Sequence, residues 1–154
     1  MTEPERPQPT TPSRPPEADR YALEPHPEGG WFRQTWASPV SVTLPHGRVR
    51  PTATLIVFCL PPGESSAWHV VASDEVWIHN EGAPVVLELG GTAEQPAADD
   101  AVTRAVVGPG TAAGEALQVV VPAGTWQRTV PGDRTAVVSC LVSPGFDFAD
   151  FRLA

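Results

Sequence analysis

Short apolar runs, some alternating and some continuous, recur along the chain and are cut by Pro or Gly. Trp31–Trp36 alternates, with Trp31, Arg33 and Thr35 on one face and Phe32, Gln34 and Trp36 on the other. Leu55–Leu60 is continuously apolar and stops at Pro61-Pro62-Gly63, as a buried strand does. Val85–Leu89 ends at Gly90-Gly91, and Ala101–Val107, Leu117–Val121 and Arg134–Val142 supply further strands. Gly91–Asp100 and Gly108–Gly114 are polar loops between them. No segment keeps a helical apolar period over three turns. Short strands roughly eight to twelve residues apart predict an all-β barrel or double sheet.

One stretch, Gly63–Gly82, carries most of the chemistry. Ser73-Asp74 reads as a turn between two strand-like runs. Beyond it Glu75, Trp77 and His79 share one face, and Val76 and Ile78 take the other. His69 precedes Glu75 by six residues, a spacing that suits opposite sides of a bent hairpin. An imidazole, a carboxylate and tryptophans on one barrel face would form the floor of a pocket.

In this stretch Gly63, His69, Glu75 and Gly82 resemble the first cupin motif, with Val71 where that motif has its second His. Pro122-Ala-Gly-Thr-Trp-Gln127 resembles the second motif, with Gln127 where the last metal-binding His would stand. The likeness tightens to one small single-domain branch, cupin family five. It is carried by Leu23–Trp36, Trp68-His69, Ser73–Trp77, Val121–Gln127 and Pro144–Phe151, in that order. The resemblance implies a single double-stranded β-helix, or jelly-roll, barrel with His69 pointing inward. Departures from the branch remove charge: Gln34 stands for Glu, Val70 and Ala72 for basic residues, and Ile78 for a His that arrives one place later as His79. Because Val71 and Gln127 occupy two of four ligand positions, no metal and no cofactor are expected. A divalent metal, if bound, would fall to His69, Glu75 and Gln127, with His79 and waters completing its shell.

Composition narrows the reading further. The 154 residues suit one domain, drawn as a Pro-rich tail over 1–20 and a cupin domain over 21–154. The tail has prolines at 4, 7, 9, 12, 15 and 16, little to bury, and is expected to be flexible and polyproline-like. All ten basic residues are Arg, and the net charge of −8 argues against nucleic acid as a partner. Cys59 and Cys140 lie in apolar runs with no CxxC pattern and are expected to be buried and reduced, as in a cytoplasmic protein. No signal peptide or membrane-length apolar run is present. A homodimer is expected, because open sheets have edges to protect and Phe146–Phe151 alternates aromatic and acidic residues.

These features support a small-molecule protein. His69 and Glu75 are the candidate catalytic pair, and Arg33, Trp68, Trp77, His79, Trp126 and Gln127 the candidate pocket. A carboxylate among tryptophans is desolvated, so its pKa rises toward proton-transfer range unless Arg33 or Arg128 pairs with it. His26 and His46, in Pro-His turns, read as surface residues. No Ser-His-Asp order, phosphate loop or nucleotide fingerprint is present. Two classes stay open: a metal-independent isomerase, epimerase, cyclase or lyase acting on an apolar or aromatic-rich metabolite, and a binding module without turnover.

Overall fold

A computed structural model describes residues 13–154, so the expected extension over residues 1–12 lies outside the described residues. In chain order the elements begin with α1 (Pro16–Arg20), β1 (Glu24–Pro25), β2 (Trp31–Ala37), β3 (Ser41–Thr43), β4 (Val49–Pro51) and β5 (Thr54–Leu60). There follow β6 (His69–Val71), β7 (Asp74–Gly82), β8 (Val85–Leu89) and β9 (Thr103–Val107). Last come β10 (Gln118–Val121), β11 (Gln127–Thr129), β12 (Ala136–Ser143) and β13 (Phe151–Leu153).

The strands form the predicted two-sheet barrel. One sheet has six strands in the order β1-β2-β5-β12-β7-β10, and the other five in the order β13-β6-β11-β8-β9. The β3–β4 hairpin stands apart. The longest ladders join β12 to β5 and β7, and both are antiparallel. Between the sheets Phe58, Trp77, Val138 and Cys140 of the six-stranded sheet meet Leu87 and Val107 of the five-stranded one. Burial of a large side chain of this kind contributes about 1.5–3 kcal/mol, so this inner cluster holds the sheets face to face.

The continuous apolar run of β5 has a second cause. Cys59 faces outward, where it packs with Ala18, Leu23, Trp31 and Val137 under α1. Both faces of β5 are therefore covered, and alternation gives way to an unbroken run. This corrects the expected tail over 1–20, because residues 16–20 are helical and Ala18 is fully buried. Pro16 at the first helical position loses no hydrogen bond there, so prolines that read as a breaker start the helix instead. Arg14 closes the turn, donating from Nε to Asp19 at 2.7 Å and from Nη2 to the Ala18 carbonyl at 3.0 Å.

The turn at Ser73-Asp74 does not make a hairpin. β6 pairs with β11 and β13, whereas β7 pairs with β12 and β10. The chain crosses here from one sheet to the other, so His69 and Glu75 approach from facing sheets. Both cysteines are buried and free, as expected, with Cys59 on the outer face of the six-stranded sheet and Cys140 on the inner.

Candidate functional site

A cavity of about 60 Å³ lies between the sheets, with His26, Glu28, Gln34, Thr54, His69 and Glu75 as its polar lining. His69 and Val71 alternate inward along β6, and Glu75 enters from the start of β7, opposite Val121 and Val142. Glu28 arrives on a turn that only glycine can build. Gly29 and Gly30 have φ of 105° and 75°, and a Cβ would stand 2.2 Å from the Ser65 carbonyl oxygen or 2.7 Å from the Phe58 ring. The Ala67 N–H fixes the turn by donating to the Glu28 carbonyl at 2.7 Å.

His69 is held at both nitrogens. Nδ1 donates to the Ala67 carbonyl at 2.8 Å, and Nε2 stands 2.9 Å from Glu28 Oε2. Burial disfavours the charged ring, but the Glu28 and Glu75 carboxyls and these hydrogen bonds outweigh it, and the pKa rises to about 8. His69 is thus an imidazolium at neutral pH, paired with Glu28.

Glu75 sits across from this pair. Burial pushes its carboxyl above the usual range and the Glu28 charge adds to this, while His69 and the Gln127 and Cys140 hydrogen bonds oppose it. Trp77 Nε1, which can only donate, gives its hydrogen to Gln127 Oε1 at 2.9 Å. That turns the amide so that Gln127 Nε2 donates to Glu75 Oε2 at 2.8 Å. His26 Nδ1 accepts the Glu28 N–H at 3.1 Å, and burial lowers its pKa, so its ring is neutral.

Phenylalanines 32, 146, 148 and 151 wall the cavity, together with Ile56 and Val142. The C-terminal rings pack on one another, with Phe146–Phe148 at 4.9 Å and Phe148–Phe151 at 5.9 Å. Phe148 remains 51% exposed, so this wall is also the outer cover. Asp150 anchors the segment by accepting from Arg48 Nη1 and Arg50 Nε, each at 2.8 Å.

Of the sequence-predicted residues, His69 and Glu75 line the cavity and Gln127 lies directly behind Glu75. The others lie elsewhere. Trp68 precedes inward-facing His69 and so turns outward, where Arg128 lies 4.5 Å above its ring. Trp126 precedes Gln127 and likewise turns out, beneath Arg152 at 4.9 Å and bonded through Nε1 to the Ala93 carbonyl. Trp77 faces inward but packs in the core against Phe58 at 5.8 Å. Arg33 is exposed and donates to the Tyr21 carbonyl, while His79 Nε2 lies 3.1 Å from the Gly82 carbonyl, away from the cavity. Neither Arg33 nor Arg128 pairs with Glu75, since Arg128 is held by Glu88. His46 is exposed as expected, but His26 is not, its side chain being 6% exposed. Glu28 and the phenylalanines stand out less in the sequence than the tryptophans do, although the Glu-Gly-Gly triplet carries the signal for a forced turn.

Few donors around the cavity are free for a divalent metal. Such sites take three or four N, O or S ligands. Val71 offers none, both His69 nitrogens are engaged, and Gln127 turns its NH₂ rather than its oxygen toward Glu75. Among the described residues no three His, Cys, Asp or Glu side chains converge to hold a metal ion. Also among them, no helix is long and apolar enough to cross a membrane.

Two solved structures are 32% identical to this chain. A hypothetical protein from Leishmania major superposes with a TM-score of 0.79 over 89% of this chain and 84% of its own. A protein from Shewanella oneidensis gives 0.77 over 90% and 82%. A dTDP sugar isomerase from Desulfovibrio desulfuricans, 13% identical over 82% of each chain with a TM-score of 0.54, shares the fold alone. No curated protein matches the chain. The family described as cupin superfamily (DUF985) matches residues 18–154, nearly all of the described chain, and the protein belongs to that family.

Proposed function

We propose that the protein is a metal-independent enzyme that moves a proton on a small metabolite held in the barrel cavity, in the manner of an isomerase, epimerase or lyase. The observation that carries this is the buried set Glu28–His69–Glu75, in which one carboxyl has its pKa raised by burial while a neighbouring imidazolium is fixed. A carboxyl whose pKa is raised is a stronger proton acceptor once ionised than an ordinary glutamate is. In the proposed step Glu75 takes a proton from a substrate carbon and returns it to another face or position, or, in a lyase, the carbon electron pair expels the neighbouring group, which leaves with that proton. The positive charge of His69, kept in place by Glu28, stabilises the negative charge that develops meanwhile. Atoms balance within the substrate, so no co-reactant is required.

The test is solvent exchange, which registers proton transfer at carbon whatever product forms. Small metabolites would be incubated with the protein in D₂O and followed by NMR for deuterium at carbon. Wild type should incorporate it, and Glu75→Gln should slow incorporation by roughly a hundredfold. Exchange at the wild-type rate in Glu75→Gln would sink the acid–base role. A ligand that binds in the cavity but never exchanges would favour the binding module.

A further inference from the structure

Glu75 has no cationic partner of its own in the cavity, because His69 is paired with Glu28. Glu28 and Glu75 bring two carboxyl groups to the cavity, and among the described residues His69 is the only cation facing them. The other groups around Glu75 are neutral or apolar: Gln127 from β11, Cys140 and Val142 from β12, Val71 from β6, and His26, whose buried ring is uncharged. The nearby arginines are turned away, Arg128 to Glu88 and Arg48 and Arg50 to Asp150. The remaining wall is mainly aromatic, formed by Phe32, Phe146, Phe148 and Phe151 with Gln34, Thr54 and Ile56 beside them. Aromatic rings beside a carboxylate are the surroundings in which alkylammonium groups are recognised.

We propose that the ligand of this cavity is a small cation, a primary ammonium or amidinium group lodged between the two carboxyls and the phenylalanine wall. It supplies the partner charge that keeps Glu75 ionised, since His69 is already paired with Glu28. An anionic metabolite would meet Glu28 and Glu75 with no arginine of the cavity lining to receive it, and this excludes carboxylates and phosphates as the group at this position. The volume of about 60 Å³ limits the buried part to a few heavy atoms. This inference rests on the proposed proton-transfer function and deepens it by naming the charge of its substrate.

Binding can be measured on the intact chain with ethylammonium, and with n-propanol and acetate as neutral and anionic probes of similar size. A ligand of three heavy atoms binds at best in the millimolar range, so the NMR titration should run to about 100 mM. Ethylammonium should shift the His69 and Phe151 signals saturably and at least tenfold more tightly than either control. Glu75→Gln should weaken it by about tenfold or more, the loss of one ion pair in a buried site. Phe148→Ala, at a half-exposed ring whose loss leaves the core intact, should weaken it several-fold. Acetate or propanol binding as tightly as ethylammonium, or no ethylammonium binding at all, would overturn the proposal. Exchange on uncharged metabolites without amine binding would remove this inference and leave the enzyme. Amine binding without any exchange would do the reverse.

Discussion

His69 shows how one ring can be charged inside a barrel. Its free-state pKa is near 6.5, and the folded value of about 8 is higher, so the folded protein binds this proton more tightly. The resulting stabilisation is fully present below pH 6.5 and fades as pH rises through 8, an amount of roughly 2 kcal/mol for a shift of this size. Glu75 adds to the trend, because a carboxyl raised by burial costs stability as pH climbs above its ordinary range. Melting temperature should therefore fall between pH 6.5 and 8, and Glu28→Gln should flatten the fall by removing the partner that lifts His69. A variant profile as steep as wild type would show that the charge resides elsewhere. His69, Glu75 and Gln127 are legible in the sequence because motif spacing fixes their register. The tryptophans mislead because they are conspicuous, although alternation alone puts Trp68 and Trp126 opposite in sense to their inward neighbours. Glu28 is hidden because its position depends on a glycine turn and on Ser65, distant in sequence, rather than on any local pattern.

At the scale of elements, the C-terminal segment is a separately anchored cover. Asp150 is 6% exposed at its side chain and receives two arginines from the β3–β4 end of the molecule. Hydrogen bonding to Arg50, then to Arg48, holds its carboxyl below the usual range. The clamp therefore persists above about pH 4, the ordinary aspartate value, and is lost as pH falls through the lowered one. Asp150→Asn should cost about 1.5–3 kcal/mol, the range for a hydrogen bond to a charged group. Hydrogen exchange should quicken at Ala72, whose N–H donates to the Asp150 carbonyl, and along β13, while β5 and β12 stay protected. Uniform acceleration over the whole barrel would show that the segment is part of the global fold and not a cover. Strands are readable from period and punctuation. Helix α1 is not, since five residues make too little periodicity and the prolines that begin it read as disorder.

For the molecule as a whole, two exposed apolar side chains fall together at one sheet edge. Leu117 and Val120 are 55% and 57% exposed at the β10 edge of the six-stranded sheet. An unpaired edge with apolar side chains is the usual place for sheet-to-sheet pairing. A homodimer is the proposed assembly, in which a second copy covers this edge. Light scattering at micromolar concentration should give twice the chain mass, and Val120→Lys should shift the species toward monomer. A monomer in the wild type would end the idea. Fold class is the most legible feature of all, because strand spacing and two half-motifs agree over almost the entire chain.

The two thiols face opposite sides of one sheet, and this gives the protein a pair of internal clocks. Cys59 lies beneath α1 and Cys140 lies in the barrel beside Glu75. Burial raises the Cys59 thiol to about 12 and lifts Cys140 well above its ordinary value, so neither reacts while covered. Lifting the five-residue helix together with Leu23 and Trp31 uncovers the first, whereas the second is reached only when the sheets part. An alkylating reagent would thus count local opening at one sulfur and global unfolding at the other, within one chain and one experiment.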